Sequence, residues 1–255
     1  MKNLFSLQGR TALVTGGSRG IGRMIATGLL SHGARVYISS RKADACDQAA
    51  RELSALGPCF SLPADVSTVE GANRLAAAFA AREPALHLLV NNAGAAWGES
   101  FDTFPEKGWD KVMDLNLKSP FFLTQALHDQ LRAGATVHPA KVINVASIDG
   151  VSVNPMETYS YAASKAGLIH LTKRMSLRLV QDNIVVSGIA PGAFASEMNR
   201  DARDHGKEVA RRIPAGRIGT DEDMAGVAIY LASRAGDYVV GQTIVVDGGV
   251  TLARG

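Results

Sequence analysis

Tyr161 and Lys165 stand four residues apart in the run Tyr161-Ala162-Ala163-Ser164-Lys165, and Ser147 lies upstream at the end of an apolar, strand-like stretch. Residues at i and i+4 share one face of a helix, and the small residues of this run are compatible with helix. An ammonium beside a phenol favours the phenolate and lowers the tyrosine pKa from about 10. A tyrosine tuned in this way can pass a proton to or from a carbonyl or alcohol oxygen. The spacing also suits a Tyr and a Lys on the surface of an amphipathic helix, so the rest of the chain must decide between the two.

A second group of residues suits a phosphate-bearing ligand. The strand candidate 11–14 runs into Thr15-Gly16-Gly17-Ser18-Arg19-Gly20-Ile21-Gly22, and a helical pattern follows over 21–32. Glycine permits the tight turn, lets backbone approach a pyrophosphate and lets helix pack on strand. The helix start then presents free N–H groups and a positive dipole end. A glycine-rich turn between a first strand and a helix marks a dinucleotide site, with Gly16, Ser18, Arg19, Gly20, Ile21 and Gly22 as candidate contacts. No Gly-Lys-Ser/Thr ending is present, which argues against a P-loop hydrolase.

The end of the second strand selects the dinucleotide. An Asp or Glu there would hold the ribose hydroxyls of NAD, but the chain reads Ile38-Ser39-Ser40-Arg41-Lys42. Arg19, Arg41 and the Ser40 hydroxyl suit a 2′-phosphate, so NADPH/NADP+ is the expected cofactor. Otherwise Arg41 and Lys42 are solvated residues at a helix start. Asp65 and Val66 follow the third strand. Asp65 either bonds the adenine amino group or caps a helix near Ser67. Asn92, Ala93 and Gly94 close the fourth strand in Asn91-Asn92-Ala93-Gly94, where a sharp turn and a glycine allow close approach to the cofactor.

The elements needed to position these groups are legible in the pattern. Short apolar runs at 11–14, 35–38, 59–62, 86–90, 141–145, 184–189 and 243–246 read as strands buried on both faces. Helical patterns lie between them near 21–32, 43–56, 67–81, 106–132, 157–181 and 221–233. This alternation predicts an α/β fold: a doubly wound, Rossmann-type parallel sheet of seven strands with helices on both faces. No repeat or linker interrupts it, so one domain over 1–255 is expected. The segment 192–217 breaks the rhythm and reads as a lid over the substrate.

Composition limits the function classes. The chain has 255 residues, 46% of them apolar, with 27 basic against 24 acidic side chains and a net charge of +3. That balance argues against nucleic-acid binding. Cys46 and Cys59 match no metal or disulfide spacing and read as reduced thiols of a cytoplasmic protein; no metal is expected. The first ten residues carry too short an apolar run for a signal peptide, and no stretch approaches the length that spans a bilayer.

The ordered set of the glycine turn 15–22, Asn91-Asn92-Ala93-Gly94, Ser147 and Tyr161-Ala162-Ala163-Ser164-Lys165 resembles the short-chain dehydrogenase/reductase family, from about residue 8 to 250. The resemblance implies a catalytic tetrad of Asn116, Ser147, Tyr161 and Lys165. Tyr161 would be the general acid. Lys165 would lower its pKa and bind the nicotinamide ribose, giving both residues contact with the cofactor. Ser147 would orient the substrate carbonyl, and Asn116 would hold a water of the proton relay. Pro191 and Gly192 resemble the loop beside the nicotinamide, where the Ile189 backbone would meet the carboxamide. Ser196 takes the place of the usual threonine. Tyr159 is not the acid, because Ala163 rather than a lysine follows it by four.

Within the family the chain is most similar to 3-oxoacyl thioester reductases, on Phe5-Ser6-Leu7-Gln8-Gly9-Arg10, the glycine turn and Asn91 to Gly98. The implied reaction is NADPH-dependent reduction of a 3-oxoacyl thioester to a 3-hydroxyacyl thioester in fatty acid metabolism. Asp182 stands where an arginine that docks the acyl carrier protein is usual. It would repel an acidic carrier, which keeps coenzyme A esters and small ketones open. A sugar or polyol dehydrogenase and a non-catalytic NADP(H)-sensing regulator are the alternatives. Trp97, Phe194 and Met198 either line an apolar substrate cavity or pack in loop and core. Arg203, Lys207, Arg211 and Arg212 either attract an acidic thioester or form a solvated face. The family also implies a homotetramer, with Ala162, Ala163, Ala166 and Gly167 permitting close helix approach.

Overall fold

The computed structural model describes residues 2–253; Met1 and residues 254–255 of the expected 1–255 domain lie outside them. All seven expected strands are present: β1 (Thr11–Thr15), β2 (Arg35–Ser39), β3 (Cys59–Ser61), β4 (Leu88–Asn91), β5 (Ala140–Val145), β6 (Ile184–Pro191) and β7 (Thr243–Val246). They form one parallel sheet in the order β3-β2-β1-β4-β5-β6-β7. The order reverses between β1 and β4, and the crevice above the carboxyl ends of those strands is where ligands bind in open α/β sheets.

Side chains alternate across each strand. Ala12, Val14, Val36, Ile38, Leu88, Val90, Ile143 and Val145 enter one core layer. Leu13, Tyr37, Leu89, Val142 and Val186 enter the other. The first layer is covered by α1 (Gly20–Ser31), α2 (Ala43–Leu53) and α10 (Asp221–Ala232), the second by α3 (Val69–Ala80), α5 (Ser119–Ala126), α6 (His128–Gly134) and α7 (Tyr159–Leu179). α4 (Glu106–Met113) precedes α5.

The expected helix 106–132 is not continuous. Between α4 and α5 the chain makes a π turn over Asp114–Lys118, where the Ser119 N–H reaches back to the Asp114 carbonyl. Pro120 has no N–H to close onto the Asn116 carbonyl four residues earlier, so regular α geometry fails there. The helix breaks again at Leu127, which stands between α5 and α6.

The segment expected as a lid carries two short helices, α8 (Arg200–Asp204) and α9 (Gly206–Ala210). Its base is closed by a bridge between Phe194 and Gly219, with the Gly219 N–H on the Ala193 carbonyl at 2.9 Å. Thr220 and Asp223 then form a capping box that starts α10. A four-residue helix, α11 (Val250–Ala253), follows β7.

Candidate active site

Thr15, which was not anticipated as a site residue, joins the two strands at the switch point. Its hydroxyl donates to the Val90 carbonyl at 3.2 Å and accepts the N–H groups of Asn92 and Ala93, each at 3.0 Å. The Asn92 amide donates to the carbonyls of Thr15 (2.8 Å) and Gly16 (3.3 Å). Its side chain therefore builds the glycine turn rather than facing a cofactor. A strand-end hydroxyl preceding the glycines was the available signal for Thr15.

The glycines are required by contact and by conformation. Gly16 and Gly20 have φ of +66° and +54°, the region where side chains are strained. A Cβ on Gly22 would lie 2.3 Å from the Gly16 carbonyl oxygen and 2.4 Å from the Asn92 amide. Across the turn, a Cβ on Gly20 would come within 3.2 Å of Ser196, so Ser196 does reach the glycine turn; its hydroxyl accepts the Asn199 N–H at 3.1 Å. Gly192 is held by the Val246 carbonyl at 2.9 Å, behind the buried Pro191. Ser18 and Ile21 are half-buried, and Ile21 packs on the core.

No carboxylate stands at the end of β2. Ser40 is half-buried there, and the Arg41 and Arg19 guanidinium groups are exposed. Asp65 lies close enough to Arg41 to feel its charge. Desolvation raises the Asp65 carboxyl, but hydrogen bonds from Ser67 and the charges of Arg41 and Arg74 outweigh it and leave the pKa lowered. One Asp65 oxygen accepts the Ser67 N–H at 3.0 Å, while Thr68 rather than Asp65 caps α3. Val66 is buried beside it. A glycine cradle without side chains and two exposed guanidinium groups with no acid between them fit a dinucleotide carrying a 2′-phosphate.

Ser147 follows β5 and caps a short turn over Ile148–Gly150, its hydroxyl accepting the Asp149 N–H at 3.2 Å. Gly150 presses this turn onto α7: a Cβ there would stand 2.6 Å from the Lys165 carbonyl carbon. Tyr161 lies in the first turn of α7, with its phenol bonded to Ser147. Lys165 is buried and donates to the Val145 carbonyl at 2.8 Å, with Nζ 5.6 Å from the Tyr161 ring centroid.

The expected lowering of the Tyr161 pKa is not what this arrangement produces. Burial pushes the phenol up to about 12; the Ser147 bond opposes this, and the Asp149 carboxylate adds to it. Lys165 is itself brought down to about 8 by burial. The physical reason is that the ammonium lies over the ring and on Val145 rather than beside the phenol oxygen, so desolvation dominates both groups.

Asn116 sits within the π turn, buried, and its amide takes both backbone groups of Ala95. The Ala95 N–H donates to Oδ1 at 2.8 Å, and Nδ2 donates to the Ala95 carbonyl at 2.9 Å. A Cβ on Gly94 would meet Asn116 Oδ1 at 3.3 Å and Lys165 Nζ at 3.8 Å. Asn116, Gly94, Lys165, Tyr161 and Ser147 thus converge from four different elements above the switch point. Residues 16–251 match the family described as enoyl-(acyl carrier protein) reductase.

The chain belongs to the short-chain dehydrogenase/reductase family.

A short-chain dehydrogenase/reductase described as the rhamnolipids biosynthesis 3-oxoacyl-[acyl-carrier-protein] reductase of Pseudomonas aeruginosa is 47% identical over 99% of this chain and 100% of that protein. A 2-dehydro-3-deoxy-D-gluconate 5-dehydrogenase of Dickeya dadantii is 39% identical over 99% of each. Among solved structures, the Pseudomonas aeruginosa RhlG/NADP active-site complex is similar with a TM-score of 0.95 at 47% identity, over 98% of this chain and 100% of that one. A gluconate 5-dehydrogenase from Burkholderia cenocepacia, in complex with NADP and tartrate, has a TM-score of 0.90 at 35% identity over 98% of each chain.

On the substrate side the structure takes the core-packing alternative for Phe194. Phe194 is 2% exposed and belongs to the core: its ring fills the space where a Gly219 Cβ would stand, 2.3 Å from Cε1. It anchors the segment and does not line a cavity. Ile189 lies inside β6, paired on both sides, and its carbonyl accepts the Ala146 N–H at 2.7 Å. That carbonyl is therefore engaged inside the sheet and is not free to meet a carboxamide. Trp97 lies against Gly108 of α4, with Lys111 Nζ 5.2 Å from its ring centroid. Met198 is 52% exposed.

The charge argument also changes. Asp182 accepts from Arg178 at 2.6 Å and from His128 at 3.1 Å. Its charge is matched by Arg178, so it does not present the repulsive carboxylate expected toward an acidic carrier. Arg203 is paired with Glu197 and with Asp204, which removes it from the four basic residues offered to an acidic substrate. Among the described residues, no helix is long and apolar enough to cross a membrane, and no group of His, Cys, Asp and Glu has the size of a metal site.

Proposed function

We propose that this protein reduces a carbonyl to a secondary alcohol with NADPH, and that its substrate is a 3-oxoacyl thioester. The observation that carries the reaction is the convergence of Tyr161, Ser147, Lys165 and Asn116 on one side of the glycine turn. The substrate reading rests on the 47% identical 3-oxoacyl reductase relative.

Arg19, Arg41 and Ser40 would hold the 2′-phosphate; Gly16, Ser18, Gly20, Ile21 and Gly22 the pyrophosphate; Asp65 and Val66 the adenine end; and Asn92, Ala93, Gly94, Lys165, Pro191, Gly192 and Ser196 the nicotinamide half. When bound, the nicotinamide supplies a hydride to the carbonyl carbon. Tyr161, protonated at neutral pH because its pKa is high, donates its proton to the carbonyl oxygen as that oxygen gains charge. Ser147 orients the carbonyl from the same side. Lys165, held on the Val145 carbonyl, would meet the nicotinamide ribose, and Asn116 keeps the floor of the site in place. The segment 192–217 closes over the substrate, with Met198 and Trp97 toward its acyl part.

The proposal extends to the setting. Exposed apolar side chains Phe121 on α5 and Leu177 on α7 support a homotetramer packed through these helices. The two free, buried thiols support a cytoplasmic protein of fatty acid metabolism, and the paired Asp182 leaves an acyl carrier protein as well as coenzyme A open as the thioester's carrier. A second reading, reduction of a keto sugar acid, is favoured by the gluconate dehydrogenase relatives. An NADPH-oxidation panel decides: 3-oxoacyl coenzyme A and carrier esters of several lengths against 5-keto-D-gluconate. Turnover of the esters is expected. Turnover of the keto acid alone would replace the first reading by the second, and tight NADPH binding without any turnover would favour a sensor.

A further inference from the structure

Ser164 is fully buried, immediately before Lys165, and no role in the chemistry described so far includes it. Its hydroxyl makes two contacts. It donates to the Tyr161 carbonyl at 2.7 Å and lies 3.0 Å from Asn116 Nδ2. A hydroxyl has one proton. With that proton on the Tyr161 carbonyl, Ser164 can only accept from Asn116, so it receives the amide nitrogen and never the oxygen.

The consequence reaches the Asn116 amide as a whole. Both Nδ2 protons are engaged, one on Ser164 and one on the Ala95 carbonyl at 2.9 Å. Oδ1 accepts the Ala95 N–H at 2.8 Å, and both Oδ1 and Lys165 Nζ lie beside Gly94, 3.3 Å and 3.8 Å from where a Cβ would stand. Asn116 is buried in the π turn that precedes Pro120. Ala95 holds both ends of its amide, and Ser164 adds a third contact from α7, the helix that also carries Tyr161 and Lys165.

We propose that Ser164 is a positioning residue for the reaction, acting through Asn116 to keep the amide oxygen turned toward Gly94 and Lys165. The inference rests on the carbonyl-reductase reading but not on the choice of substrate. A Ser164→Ala variant removes the acceptor and leaves a buried Nδ2 proton unmatched; the expected result is a fall in kcat of about tenfold with KM for NADPH within about twofold. Ser164→Thr keeps the hydroxyl and is expected to recover most of the loss. In an Asn116→Ala background, Ser164→Ala should add less than about twofold, since a residue acting through another has nothing left to position.

The measurement is this double-mutant cycle in kcat, followed with acetoacetyl-coenzyme A and with 5-keto-D-gluconate, alongside thermal unfolding of each variant. A Ser164→Ala enzyme that loses thermal stability but keeps kcat overturns the proposal, as does a full loss repeated in the Asn116→Ala background. Turnover of the keto acid alone would remove the thioester reading and leave the Ser164 test intact. Turnover of neither compound by the wild-type protein would overturn both.

Discussion

The Lys165 ammonium donates to the Val145 carbonyl at 2.8 Å and lies 5.6 Å from the centre of the Tyr161 ring. The helix spacing that puts these residues on one face does not put the charge on the phenol oxygen. Burial then acts separately on each group, raising Tyr161 to about 12 and lowering Lys165 to about 8.

This has a sign in stability. The Lys165 pKa in the folded protein lies below its ordinary value of 10.5, so between pH 8 and 10.5 the unfolded chain binds more protons. Stability from this group therefore rises with pH across that window. Relative to Lys165→Met, the wild-type protein should gain on the order of 3 kcal/mol from pH 8 to 10.5. Urea unfolding at a series of pH values reads it, and a constant difference would contradict the assignment. Tyr161 acts in the opposite sense above pH 10, so the comparison is cleanest in a Tyr161→Phe background.

Tyr161→Phe removes the proton donor while keeping the ring. Turnover should fall about 10²- to 10⁴-fold, and NADPH binding followed by fluorescence should persist. Retained turnover would remove Tyr161 from the acid's role.

Arg19 and Arg41 flank the place where β2 ends without an acid. Arg41→Ala is expected to raise KM for NADPH by roughly 10- to 100-fold, the loss of one charge-assisted contact of about 1.5–3 kcal/mol, and to leave NADH kinetics almost unchanged. Equal losses for both dinucleotides would mean that Arg41 does not meet the 2′-phosphate.

Phe194 tests a core role against a substrate role. Phe194→Ala opens a cavity against Gly219 and should cost about 3–5 kcal/mol in unfolding free energy. Glycine at 219 leaves no side chain to refill the space. A variant of wild-type stability with altered chain-length preference would return Phe194 to the substrate site.

The chain's local order determined much of this protein. Continuous apolar runs separated by helical patterns specify a parallel sheet buried on both faces, and glycines at fixed offsets specify the turn that receives a phosphate. Those features depend on near neighbours and on a period, so they can be read along the chain. Pro120 belonged to the same legible class: its missing N–H marks the break in the expected helix 106–132, and the apolar pattern running across it concealed the break.

What the tertiary structure decided is which distant groups meet. Phe194 is a core residue because Gly219, far along the chain, leaves room for its ring. Asp182 loses its expected repulsion because His128 and Arg178 reach it. Asn116 becomes part of the site because a π turn brings it to Ala95 and Ser164. Tyr161 and Lys165 were readable as a pair from spacing, but their proton affinities were not. Those depend chiefly on desolvation, and burial is a property of the folded whole.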